Sequence, residues 1–174
     1  MAKREIRPIR VEGQVAYVPL TKGYTAIIDA ADAHLVEGVN WHVLESTKGG
    51  TAYATRTIRK DGKRQHCLMH RFLMGANDEN VDVDHRDGDG LNNRRSGNLR
   101  VGTKSNNQCN ARLRQDNKSG FKGVFWCKTS SKWKGSIRHE GKQKHLGFFR
   151  CPTAAALAYA KASRELHGEF GRVA

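Results

Sequence analysis

Asp84 and His85 stand side by side, with Asn98 and Asn107 further along the same stretch. Together these side chains supply what cleavage of a phosphodiester needs: a base for the attacking water, oxygen donors for a cation near the scissile phosphate, and a frame that holds both. An imidazole titrates near neutrality, so His85 can accept a proton from water at working pH. Asp84 and an amide oxygen are the hard donors that Mg2+ prefers, with water and phosphate oxygens completing its shell. A calcium loop of the EF-hand kind is the competing reading of the acidic run Asp84-His85-Arg86-Asp87-Gly88-Asp89-Gly90. It lacks the required last glutamate, because Arg95 stands at that position.

The elements that must hold these residues can be read from local pattern. Residues 14–28, rich in β-branched and aromatic types around Lys22-Gly23, predict a hairpin. Asp29 is placed to cap a short helix ending near Gly38, and Trp41 is expected in the core at the start of another strand. Residues 51–60 and 63–75 flank Asp61-Gly62, a strong hairpin signal. Residues 81–85 then form a strand, followed by a loop of Gly, Asp and Asn, a return strand at Leu99-Arg100-Val101-Gly102, and a helix capped by Thr103 that runs to about Arg114. Neighbouring residues on a strand face opposite sides, so a twist or bulge is expected where Asp84 and His85 converge. Asn107 falls one turn into the helix, and Asn106 lies about 100° away around it.

This strand, loop, strand and helix, with its residues, resembles the HNH or ββα-metal endonuclease family, and within it the phage homing enzymes. The resemblance rests on His70-Arg71, Asp84-His85, Asp87-Gly88, Asn92-Asn93, Asn98-Leu99-Arg100, Thr103 and Asn107. It implies His85 as general base, Asp84 and Asn107 as ligands of one divalent metal, and Asn98 as the residue that holds the loop through backbone hydrogen bonds. An asparagine as the last letter points to Mg2+ or Mn2+. His70 would either pack under the site or touch a phosphate, and Arg100 would contact DNA. The products implied are 5′-phosphate and 3′-hydroxyl ends.

The formal net charge of +14 is unevenly spread. Residues 1–66 carry 11 Lys/Arg against 7 Asp/Glu, residues 67–116 carry 8 against 7, and residues 117–174 carry 12 against 3. So basic a C-terminal segment points to a polyanion, most economically nucleic-acid phosphate. The middle third keeps its acids, as a metal site would need. After a polar stretch at 115–120, three strand-like runs (121–126, 132–140 and 142–149) precede a helix that begins at Pro152 and ends at Gly168. Strict alternation on the second run puts Lys132, Lys134, Ser136 and Arg138 on one face, with Trp133, Gly135 and Ile137 on the other.

Residues 120–170 resemble the plant ethylene-response-factor (APETALA-type) DNA-binding domain. The matching residues are Gly120 to Val124, Lys132-Trp133, Ile137-Arg138, Leu146 to Phe149 and Ala155 to Tyr159. The resemblance implies a sheet in the major groove, with Lys122, Lys132, Lys134, Arg138 and Lys144 as DNA contacts. Trp126 would stack on the backbone or pack in the core. This chain departs from the pattern where Lys122, Phe125 and Cys127 replace arginines, and where Gln143 and His145 stand for Arg and Trp.

The expectation is an α+β protein. N-terminal β-hairpins lead into a ββα-metal HNH core, followed by a three-stranded antiparallel sheet packed on one helix. The nuclease domain is expected at 1–114 (core about 66–114), the linker at 115–120 and the DNA-binding domain at 121–174. The expected function is metal-dependent cleavage of double-stranded DNA by a homing-type enzyme, with a non-catalytic DNA-binding regulator as the alternative. Cys67, Cys109, Cys127 and Cys151 lack zinc-site spacing, so no structural zinc is expected. No small-molecule cofactor or membrane partner is expected either. The N-terminus reads as basic without the apolar run of a secretory signal, and the expectation is an intracellular monomer, phage-encoded and working in a bacterial host.

Overall fold

The computed structural model describes residues 5–46, 50–78, 81–114 and 116–173. The expected linker residue Gln115 lies outside them. The protein is mixed α and β, with small antiparallel sheets and few helices, and it divides into two compact units, Met1–Thr103 and Lys104–Ala174.

The first unit opens with the meander β1 (Arg10–Glu12), β2 (Val15–Pro19) and β3 (Thr25–Asp29). Alternation on β2 and β3 buries Ala16, Val18, Ala26 and Ile28 on one face. A 3-10 turn at Ala30–Asp32 leads into the single turn α1 (Ala33–Val36). The second sheet is β4 (His42–Glu45), β5 (Ala52–Lys60) and β6 (Lys63–Leu68). Asp61 and Gly62 both take positive φ, 51° and 73°, the twist a tight hairpin needs. Trp41 is fully buried, and its indole N–H donates to the Val36 carbonyl at 3.2 Å. One core joins the two sheets through Ile28, Val36, Trp41, Ala54, Met69 and Leu73.

Two local expectations change. The run 63–75 is not one strand: it breaks at Leu68, and α2 (Met69–Leu73) follows. Met69 and Leu73, one helical turn apart, both enter the core, a reward that a continued strand could not collect. Asp29 stands before the 3-10 turn but its side chain caps nothing there, being turned to the loop described below.

A two-stranded ribbon, β7 (Asp82–His85) with β8 (Leu99–Gly102), completes this unit. Its connecting loop lies along β3: the Ile27 amide donates to the Leu91 carbonyl at 2.8 Å, and the Asn93 amide donates to the Ile27 carbonyl at 2.6 Å. The loop also runs tight against β5. A Cβ on Gly90 would overlap the Ala52 carbonyl and the Tyr53 ring, so only glycine permits the approach.

The second unit begins with α3 (Lys104–Asn110). Residues 117–120 form a wired turn: the Asn117 side-chain oxygen accepts from the Ser119 and Gly120 amides at 3.0 and 2.8 Å. A three-stranded antiparallel sheet follows, β9 (Val124–Cys127), β10 (Lys132–His139) and β11 (Lys142–Phe149), with β10 central. The helix α4 (Pro152–His167) packs on it through Ala155, Tyr159 and Ala162, and ends at Gly168 with φ 52°. Alternation along β10 is interrupted. A register shift between Gly135 and Ser136 leaves Gly135, Ser136 and Ile137 all buried, so Ser136 does not join an exposed cationic face.

Replacing Gly90 with alanine is expected to lower unfolding free energy by about 1–3 kcal/mol, the usual cost of overpacking. A reduced urea midpoint at unchanged slope would measure it.

Candidate active site

The loop 86–98 carries little apolar surface, and polar bonds shape it. Asn98, buried, accepts the Asp87 amide at 3.0 Å through its side-chain oxygen. Its Nδ2 donates to Asp87 Oδ1 at 3.0 Å and to the Asn92 carbonyl at 2.6 Å. Asp87 Oδ1 also accepts from the Asp89 backbone N–H at 2.8 Å, and Oδ2 accepts from the Asn92 side-chain Nδ2 at 2.7 Å. Burial would raise the Asp87 carboxyl, but these donors outweigh it and hold it below its ordinary value. From the other side, Asp29 accepts from the Ser96 amide and hydroxyl, both at 2.8 Å, and from Arg94 Nε at 3.1 Å. Asp32, 1% exposed, receives the Arg95 fork, with Nε at 2.8 Å.

That frame places His85, the last residue of β7, in a buried setting. Its Nε2 lies 3.3 Å from Asn93 Oδ1. The Asn93 amide cannot be turned over without loss, because its Nδ2 donates to the Leu91 carbonyl at 2.9 Å. The oxygen therefore faces the ring, and it accepts from Nε2 in the tautomer that carries the hydrogen there. Burial lowers the His85 pKa, opposed by the Asn93 bond and by Asp87, Asp84 and Asp89. Its ring lies 4.9 Å from that of His70 and 6.0 Å from that of Tyr53. His70, on α2, is itself buried, and burial with the neighbouring His85 and Arg71 pushes its pKa to about 3. Its Nδ1 is buried with no hydrogen-bond partner among the described residues.

Asp84 has different company. It shares a rung with Arg100, whose Nε and Nη2 both donate to Asp84 Oδ2, at 3.0 and 2.6 Å. Arg100 is 6% exposed, so the expectation of an outward DNA contact gives way to a buried ion pair. The β7–β8 ladder is regular through both residues, without the bulge expected between Asp84 and His85. Asn107 lies on α3, in the second unit. Among the described residues, no group of three His, Cys, Asp or Glu side chains is placed to hold a metal ion. The proposed donor set, one carboxylate and one amide, suits a hard dication that keeps most of its water rather than zinc.

In the second unit Lys132, Arg138 and Lys144 are exposed and Lys134 is half-exposed. Lys122 departs from its expected outward role. Its Nζ donates to the Cys109 and Ala111 carbonyls at 2.7 and 2.6 Å, clipping the end of α3, and burial lowers its pKa. Trp126, half-exposed, shares a rung with Trp133, with ring centroids 5.4 Å apart. Sequence reading gave Asp29 only a helix cap, and it gave Asp32, Arg94, Arg95 and Ser96 no part in the site, because their pairing spans more than sixty residues. No local spacing announces such contacts.

Residues 63–109, from β6 through the ribbon and into α3, match the HNH endonuclease family, so the candidate site lies in a nuclease-family domain. The chain belongs to the family of Protein 3.8 of Escherichia phage T7, with which it shares 33% identity over 109 residues, covering 63% of this chain and 88% of that protein. No solved structure gives a significant match. No helix among the described residues is long and apolar enough to cross a membrane.

The buried histidines set an acid sensitivity with a definite sign. An unfolded histidine titrates near ~6.5, whereas folded His70 does so at about 3. Its contribution is complete above the unfolded value and drains away as pH falls toward the folded one. His85, also lowered, adds in the same direction. Asp29 and Asp87, held below their ordinary value, begin to cost stability only in more acid solution. The urea midpoint is expected to fall between about pH 7 and pH 4.5, and His70→Phe should flatten that fall. An equal fall in the variant would show that His70 is not held neutral.

Proposed function

We propose that this protein is a metal-dependent DNA endonuclease of the homing type, cutting phosphodiesters to leave 5′-phosphate and 3′-hydroxyl ends. The observation that carries the reading is His85. Within the segment matching the HNH family, it is a buried imidazole whose pKa burial lowers, held beside the Asn93 side-chain oxygen. Such a group is a base at neutral pH without needing to lose a proton first.

In the proposed reaction the His85 imidazole takes the proton of the attacking water. Asn98 acts on the loop rather than on substrate, fixing Asp87 and Asn92 so that Asn93 stays against the ring. His70 supports the His85 ring from α2, and its burial keeps a second positive charge away from the base. Asp84, oriented by Arg100, is the proposed carboxylate donor to one Mg2+ or Mn2+, with Asn107 as amide donor by its place in the motif. Such an ion would neutralise charge developing on the scissile phosphate and the leaving oxygen. The second unit is proposed as the DNA grip. Lys132, Lys134, Arg138 and Lys144 would meet phosphates, much as the sheet of an ethylene-response-factor domain meets a duplex.

Supercoiled plasmid tests this directly. The wild type should nick it with Mg2+ and fail with EDTA, and His85→Ala should be slower by about 10²–10⁴-fold, the usual contribution of a general base. Tight DNA binding without cleavage under every condition would instead favour the regulator.

A further inference from the structure

The outer face of the C-terminal sheet carries more than charge. Lys134 is the register partner of Phe125 on one side and Phe148 on the other, forming one rung across all three strands. Trp133 and Gly135, its neighbours on β10, point the other way, and a Cβ on Gly135 would lie 3.5 Å from the Ala155 carbonyl of α4. The Phe125–Lys134–Phe148 rung therefore faces away from the helix. Both rings are open, Phe125 at 41% and Phe148 at 47% exposure. Lys134 Nζ sits 5.8 Å from the Phe125 centroid, and the His145 ring lies 4.8 Å from that of Phe148. No Asp or Glu occurs in any of the three strands.

Phosphates explain the lysines but not the rings. A surface that met only the backbone of an intact duplex would gain nothing from two half-exposed phenyl groups, whose faces suit the faces of bases. Strands lie ~4.8 Å apart, so the two rings are roughly 10 Å apart across β10, with a cation between them. That is the arrangement of a stacking platform: each ring takes the face of an unpaired base and the ammonium takes the intervening phosphate.

We infer that this sheet face binds DNA at unpaired bases, through Phe125 and Phe148, so that the protein favours DNA containing a single-stranded stretch over uninterrupted duplex. The inference rests on the reading of the second unit as a DNA grip, and it adds the form of DNA that the grip selects.

Fluorescence anisotropy with the full chain in EDTA tests it. The probes are a labelled 20-mer thymidine strand, a 20-base-pair duplex, and the same duplex with a four-nucleotide central bubble. The wild type should bind strand and bubble about tenfold or more tighter than duplex, the scale of one or two base–aromatic stacks. Phe125→Leu with Phe148→Leu should erase that preference while leaving duplex affinity nearly unchanged. The double substitution to tyrosine should keep it, which guards against a mere folding effect. Equal binding of bubble and duplex by the wild type, or a preference that survives in the leucine variant, overturns the inference and leaves the DNA grip standing. Failure to bind any of the three probes overturns both.

Discussion

The geometry around His85 depends on two carboxylates, Asp29 at the end of β3 and Asp32 in the 3-10 turn that follows. The loop that follows His85 brings only Leu91 to the hydrophobic core, so it cannot be held by burial of apolar surface. Asp29 and Asp32 reach across to Ser96, Arg94 and Arg95 instead, while Asp87 and Asn98 tie the loop to itself. Hydrogen bonds to charged groups contribute about 1.5–3 kcal/mol each, enough for a few of them to fix a loop of this length. The first sheet is far from the motif in sequence, yet it is the scaffold against which the motif is cast.

What this frame achieves is selection among states of one imidazole. The core side of His85, lined by His70 and Tyr53, disfavours charge, and the Asn93 oxygen faces Nε2. Asp84 meets the opposite situation, a buried carboxylate balanced by the planar fork of Arg100. Two adjacent residues on one strand thus have different settings: burial lowers the pKa of one, and the other faces the guanidinium of Arg100. The regular ladder produces this, since neighbouring positions on a strand meet different surroundings.

Local signals in the sequence were legible in the structure. Asp61-Gly62 turns a hairpin, Trp41 is core, Pro152 opens α4 and Gly168 closes it. The candidate residues Asp84, His85, Asn98 and Asn107 are picked out by type and spacing alone. What sequence could not show was the company they keep. Arg100 and Lys122 are expected as DNA contacts from their places in the two resembled motifs, but a neighbouring carboxylate and the carbonyls at the end of α3 claim them first. The split of residues 63–75 into strand and helix depended on a core whose other half comes from β2, β3 and β5. Ser136 departs from the alternation beside a β-bulge, where β11 carries one extra residue against β10, while Ile137 and Arg138 keep the burial and exposure expected of them.

The acid-free sheet of the second unit has a cost in the unbound protein. Lys132, Lys134, Arg138, Lys142 and Lys144 crowd two adjacent strands with no carboxylate on either to offset them. Their mutual repulsion acts over roughly 10 Å in dilute electrolyte and shortens as ions are added. This half of the molecule should therefore be weakest in pure water and firmer in moderate salt, contrary to a fold laced by surface ion pairs. A polyanion laid along the strands would relieve the same repulsion, so that occupancy and folding of the unit reinforce each other.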